Sequence, residues 1–332
     1  MFVMLVKLSG CCAMKDERYS RQLVLAEIGA GQEKIEHSVV AVVGMGALGS
    51  VAADLLTRAG VGTLILVDRD VVEESNLPRQ SLYEEKDVGR SKVVAAKEKL
   101  LKVNGETDIK IHALHLNAVN IDLLGKAVII LDCTDNLQTR FLLNDFCRKE
   151  KISLIYGAAV KTTGYAMPIL PTGPCLRCFL QEANLETCET MGVLNVITTS
   201  IAALQVMLAL QVMVGKEIEP MLHHYNIWKQ EFRTVKVNQN KDCRACGGRY
   251  DYLEKREEVR AVKFCSSGRY QVMGRKIDLL EVKKRWEKLG VVIDDGVTLS
   301  FKNIVLFEDG RALINANSDE EALSTYSKLV GN

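Results

Sequence analysis

An excess of charge of either sign is missing from this 332-residue chain: 43 basic side chains face 42 acidic ones, for a formal net charge of +1. With no basic surplus there is no electrostatic footprint for nucleic acid, which is excluded as the main partner. Internal repeats and low-complexity tracts are absent too, and with them solenoids and disordered arrays. A membrane span is not expected. The apolar stretch "SIAALQVMLALQVMV" at 200–214 is shorter than a bilayer crossing and carries Gln205 and Gln211, so it reads as a buried helix. The opening "MFVMLVKLSGCC" has no positive segment ahead of it, and Lys7 breaks its short apolar run. It fails as a lipoprotein leader. Residues 1–15 read instead as a disordered extension, and the expected location is the cytoplasm, with no membrane partner.

What is present is an ordinary soluble composition, 48% hydrophobic and 26% charged, long enough for a large α/β domain with an appendage. Residues 39–43 form an apolar run suited to a buried parallel strand, 47–59 suit a helix, and 63–67 return as a second strand. An amphipathic helix follows at "GRSKVVAAKEKLLKVN", then a strand at "AVIIL", a helix over 137–149 and a strand at "SLIYGAAV". The order β-α-β-α-β-β-α-β predicts a doubly wound, mostly parallel, Rossmann-like sheet. In the second half, "HHYNIWKQEFRTVKV" alternates like an antiparallel hairpin. The charged stretch after Cys246 is the best linker. Beyond it, "AVKFC", a helix at "DLLEVKKRWEKLG", strands near 297–301 and 303–307, and a last helix "SDEEALSTYSKLVG" predict a small α+β module. The expected organisation is therefore a tail at 1–15, a nucleotide-binding domain at 16–247 and the module at 248–332.

Between the first strand and helix, Gly44, Gly46 and Gly49 fit G-x-G-x-x-G. The first two allow a tight turn and close approach to a phosphate, and the third allows helix to pack on strand. The helix N-terminus adds free N–H groups, and Asp68 ends the second strand, where a carboxylate takes ribose hydroxyls. These features alone admit NAD, FAD or ATP. The residues that follow distinguish them. Arg79 and Gln80 lie in the next loop, and Lys92 opens the next helix, where a cation opposes the helix dipole unless an anion is near. Asp135 follows a buried strand at its carboxyl end. A triphosphate needs added cations and a carboxylate-held Mg²⁺, which a dinucleotide does not. The set favours ATP. An NAD(P)-dependent oxidoreductase lacks its acid/base partners here, and a silent scaffold has no need of Arg79, Lys92 and Asp135.

Ten cysteines include two CxxC pairs, Cys175–Cys178 and Cys243–Cys246. Four thiolates in a reducing compartment suit a closed, structural, tetrahedral Zn²⁺ site better than a redox pair. Cys133 and Cys147 fall in core elements and read as packing residues. His223 and His224 are adjacent on a strand and face opposite ways. "FCSSGRY", with Cys265, follows Cys246 too closely for a rhodanese domain.

Taken in order, "RYSRQ", "GMGALGS", "DRDVVEESNLPRQ", "DVGRSK", "LDCTDN", "YGAA", both CxxC pairs and "YNIWKQEFRTVKV" closely resemble the MoeB/ThiF/HesA family of ubiquitin-activating-enzyme-like adenylyltransferases. The resemblance implies adenylation of the C-terminal Gly-Gly carboxylate of a small β-grasp protein, a sulfur carrier or ubiquitin-like modifier, by a homodimer with a sulfur donor protein as a further partner. It also implies that Gly44, Gly46, Ala47, Gly49, Asp68 and Asp70 hold adenosine and sugar. Asn76, Arg79, Gln80 and Lys92 would then line the phosphates, Asn136 would also contact ATP, and Asp135 would position Mg²⁺. Arg21 corresponds to an arginine that reaches across the dimer. Cys188 stands where the family can carry an acyl-accepting thiol, although flanking Glu186 and Glu189 disfavour a thiolate there.

Overall fold

The computed structural model describes residues 17–180, 191–254, 261–263 and 269–331. Cys188, Cys265 and the 1–15 extension lie outside them.

Eight strands build the main sheet. They are β1 (Val39–Val43), β2 (Thr63–Val67), β3 (Asp108–His112), β4 (Ile129–Asp132), β5 (Ser153–Val160), β6 (Thr163–Ile169), β7 (Met221–Asn226) and β8 (Glu231–Lys236). Their spatial order is β3-β2-β1-β4-β5-β6-β7-β8. The first five run parallel and the last three antiparallel. This is the expected doubly wound sheet with its hairpin extension. β1, β2 and β4 are apolar apart from Thr63 and Asp132 at their ends, because both of their faces are covered.

Helices α1 (Gly49–Ala59), α2 (Lys92–Val103) and α3 (Leu137–Glu150) connect the parallel strands. The apolar stretch forms α4 (Asn195–Val214). By length and composition α4 is apolar enough to cross a membrane, yet half of its most apolar window is buried inside the protein. Gln205 shows why polarity is tolerated there: its Nε2 donates to the carbonyls of Asp132 at 2.9 Å and Ile155 at 3.0 Å. A buried amide that completes its hydrogen bonds costs little, and this one fastens α4 to two strands.

The C-terminal region folds around a second sheet, antiparallel throughout, of order β11-β12-β13-β14-β10-β9. Its strands are β9 (Ala261–Lys263), β10 (Arg269–Met273), β11 (Ile293–Asp294), β12 (Thr298–Phe301), β13 (Ile304–Phe307) and β14 (Arg311–Asn315), covered by α5 (Leu279–Trp286) and α6 (Asp319–Leu329). Trp286 stacks on Phe301 in a core separate from that of the main sheet.

Candidate nucleotide and metal sites

β1 has β2 on one side and β4 on the other, so the loops leaving β1 and β4 turn to opposite faces and open a crevice between them. That switch point is where open α/β sheets bind ligands. The three glycines in the first loop do different work. Gly44 has φ +90°, and a Cβ there would sit 2.6 Å from the Cys133 carbonyl. A Cβ on Gly49 would strike the Gly44 carbonyl at 1.8 Å. Gly46 is the open one: its Cβ would meet nothing nearer than Gln80 Nε2, at 3.9 Å. Gln80 is buried, and its Oε1 has no hydrogen-bond partner among the described residues. An unpaired buried carbonyl beside bare backbone costs free energy unless a ligand completes it, so the hollow suits a ligand that can donate a hydrogen bond.

Asp68 fixes the floor of the hollow. Its Oδ2 accepts from Met45 N at 2.6 Å and its Oδ1 from Asp70 N at 2.7 Å, joining the glycine loop to the turn after β2. Lys92 is buried at the start of α2, with its Nζ 3.6 Å from Asp70 Oδ2. Burial alone would lower its pKa, but Asp68, Asp70, Asp135 and Glu73 outweigh that and hold it above the ordinary lysine value. Burial likewise works to raise Asp70, and Lys92, Arg69 and Arg311 overcome it, leaving that carboxyl below its ordinary value. The cation at a helix N-terminus is thus stabilised by carboxylates on two loops.

Asn76 caps the short turn in the loop after β2, its Oδ1 accepting from Glu73 N at 3.2 Å. Arg79 is half-buried and donates to Ser75 O at 2.7 Å. Asp135 is exposed on the loop after β4. Asn136 caps α3, its Oδ1 accepting from Thr139 N at 2.9 Å, so this oxygen orders the start of the helix. Arg21 stands apart. Its neighbours Tyr19 and Gln22 pack at Gly60 and Ala59, the C-terminal end of α1, roughly 16 Å of helix from the glycine loop.

Sequence reasoning missed the supports. Asp132 is fully buried. Its Oδ1 accepts from Thr134 N at 3.0 Å and Oγ1 at 2.7 Å, while Arg140 donates to Thr134 O, so both hold the loop that carries Asp135. Burial pushes the Asp132 carboxyl up, against the pull of Arg140. Tyr83 Oη donates to Met45 O at 2.8 Å and joins the glycine loop to its surroundings. "LDCTDN" contains Asp132 as plainly as Asp135, but only burial separates their roles.

The four expected cysteines converge. Cys175 and Cys243 Sγ atoms are 3.5 Å apart, as are those of Cys178 and Cys246, and all four lie within 4.8 Å of one another. Tetrahedral Zn²⁺ with ~2.3 Å bonds requires sulfur separations of this order. Arg177, between the first pair, reaches Asp145 at 3.2 Å and Asp251 at 2.8 Å, tying the centre to α3. Cys133 and Cys147 are buried, while His223 and His224 pack against Phe232 and Tyr165.

These loops define a nucleotide-binding α/β protein whose sheet extension is stapled at a four-cysteine centre. Comparison with known families narrows that class: residues 19–245 match the ThiF family, and the chain belongs to it. It is 35% identical over 333 aligned positions to the Bacillus subtilis sulfur carrier protein ThiS adenylyltransferase, covering 95% of this chain and 99% of that one. It is 36% identical to the SAMP-activating enzyme E1 of Haloferax volcanii, over 72% of this chain and 92% of that one. Among solved structures, Escherichia coli MccB in complex with ATP superposes with a TM-score of 0.61 at 23% identity, over 69% of this chain and 74% of that one, a likeness of fold.

Proposed function

We propose that this protein is an ATP-dependent adenylyltransferase acting on the C-terminal Gly-Gly carboxylate of a small β-grasp sulfur carrier or ubiquitin-like protein, in the cytoplasm. The observation that carries the reading is the hollow over Gly46, bounded by the unpaired Gln80 carbonyl and by Lys92 held among carboxylates from two loops. The names of the B. subtilis and H. volcanii relatives support the substrate class. We assign the adenylation unit to residues 16–247.

In this reading Gly44, Gly46, Ala47 and Gly49 approach adenosine and its phosphates, and Asp68 and Asp70 face the sugar. Asn76, Arg79, Gln80 and Lys92 surround the polyphosphate. Asp135 would hold Mg²⁺, whose charge would help neutralise the triphosphate. The carrier carboxylate oxygen attacks the α-phosphorus; a P–O bond forms, the bridge to the β-phosphorus breaks, and pyrophosphate leaves beside Arg79 and Lys92. Positioning and charge neutralisation supply the catalysis, because an anion must approach a polyanion. A sulfur nucleophile then attacks the acyl carbon and AMP departs. Cys188 is assigned as an acceptor in that second step, a sulfur donor protein supplies the final sulfur, and Zn²⁺ at Cys175, Cys178, Cys243 and Cys246 is structural. Arg21 is too distant to serve its own chain's hollow, so it is assigned to the site of a second copy in a homodimer.

The test is pyrophosphate exchange with a Gly-Gly carrier, followed by mass spectrometry of the carrier after ATP and a sulfur source are added. Carrier-dependent exchange, abolished in Asp135→Ala and retained in Cys188→Ala, with a thiocarboxylate forming on the wild type, is expected. Reduction of NAD(P)⁺ without exchange would overturn the reading.

A further inference from the structure

The C-terminal module begins beyond residue 245, where the family match ends, yet it is docked against the nucleotide crevice. Two loops receive it. The first is the turn after β2, carrying Asp68 and Asp70; the second leads into α2 and carries Lys92. An isolated antiparallel bridge between Val71 and Ser91 joins them. The module grips both sides of that bridge. From β14, Arg311 is fully buried and extends beneath the first loop. Its Nη1 donates to Arg69 O at 2.8 Å and its Nη2 to Ala113 O at 3.2 Å, while the guanidinium lies 3.5 Å from the centre of the Phe307 ring. On the second loop, Asp295 Oδ2 accepts from Ser91 N at 2.6 Å and Ser300 Oγ donates to Gly89 O at 2.7 Å. Between the two, Val71 is buried against Val305, Phe307 and Leu313. Arg269 pairs with Glu73 at 3.3 Å.

Arg69 O is the carbonyl between the two carboxylates of the floor, and Ser91 N is the amide immediately ahead of Lys92. Among the described residues the Ser91 hydroxyl has no partner, and the helix has no side-chain cap of its own. The first turn of the helix carries no acidic residue, and Asp295 adds, from the module, a carboxylate at its start. We propose that the C-terminal module is a positioning element of the nucleotide site, with Arg311 and Asp295 as positioning residues that hold the Asp68–Asp70 turn and the Lys92 helix start in the geometry ATP requires. The proposal rests on the nucleotide reading above. Asp295 acts through backbone, and Arg311 acts through backbone and through its charge beside Asp70. Its chemical content is preorganisation: a charged hydrogen bond to each loop removes freedom that binding would otherwise have to remove.

The experiment uses full-length protein and the variants Arg311→Met, Arg311→Lys, Asp295→Asn and Ser300→Ala. Equilibrium ATP binding, the KM values for ATP and carrier, and hydrogen exchange of the free protein are measured on each. Arg311→Met and Asp295→Asn are expected to weaken ATP by about 10-fold, the scale of one lost charged hydrogen bond. The carrier KM should stay within about twofold, since a loosened nucleotide floor does not touch the carrier surface. Exchange should rise at 68–72 after Arg311→Met and at 89–93 after Asp295→Asn, with the main-sheet strands still protected. Arg311→Lys should recover part of the ATP affinity. Two results would overturn the proposal: ATP affinity within twofold of wild type in both variants, or a loss explained by exchange rising throughout the main sheet. Ser300→Ala keeps the test open if Arg311→Met does not fold, because it removes one outlying contact and should raise exchange at Gly89 alone. Should wild type fail to bind ATP, the nucleotide reading falls and local exchange at the two loops still decides whether the module holds them.

Discussion

Three glycines separated by two and three positions serve distinct ends, and substitution distinguishes them. Gly44→Ala places a side chain at φ +90° and against the Cys133 carbonyl, and Gly49→Ala strikes the Gly44 carbonyl. Each should cost about 2 kcal/mol or more of stability, read as a lower denaturant midpoint at unchanged slope. Gly46→Ala meets only the end of Gln80. It should leave the midpoint within about 0.5 kcal/mol of wild type while ATP binding falls steeply, because the new methyl occupies the hollow. A Gly46→Ala protein that binds ATP normally would show that the nucleotide lies elsewhere. The glycine spacing was readable in the sequence; which glycine leaves its backbone open was not, since that depends on the Cys133 carbonyl next to β4. Asn136 carries a duty its place in "LDCTDN" did not announce: its oxygen caps the helix behind it.

At the scale of elements, the four-cysteine centre joins the segment after β6 to the end of the β7–β8 hairpin. Stripping the metal with a chelator should lower Tm by more than about 5 °C, given ~2–4 °C per kcal/mol at this size. Exchange should rise first at 173–180 and 243–254, where Arg177, Asp145 and Asp251 interlock. Elemental analysis finding no zinc, or an unmoved Tm, would remove the structural role. The centre was legible because two CxxC pairs constrain chemistry whatever the fold. The inner parallel strands were legible because burial on both faces leaves nearly continuous apolar runs, as in Val39–Val43 and Thr63–Val67. β10 and β14 were not. Arg269 and Arg311 open them, and a charged residue at a strand end reads as loop until one sees that Arg311 is consumed by carbonyls of the neighbouring domain. Gln205 was taken only as an argument against a membrane, whereas it pins α4 to the sheet.

The whole molecule separates Arg21 from the hollow by the length of α1. On the dimer reading, neither Arg21→Ala nor Asp135→Ala homodimers support exchange, but a mixed dimer restores one intact site. Co-refolding equal amounts of the two should recover about a quarter of wild-type activity, the share of sites that random pairing leaves whole. Mixtures as inactive as their parents would place Arg21 outside the reaction. The spacing of the thiol centre has a consequence for biosynthesis. Cys175 and Cys243 stand 68 positions apart, so on a ribosome the first pair emerges well before the second. Throughout that interval the nascent chain offers half a chelate, open to a competing ion or to oxidation. Capture of the correct ion must wait for the late strands, and metal scarcity would therefore be felt as a defect of maturation, in chains finished but never locked, ahead of any loss from enzyme already assembled.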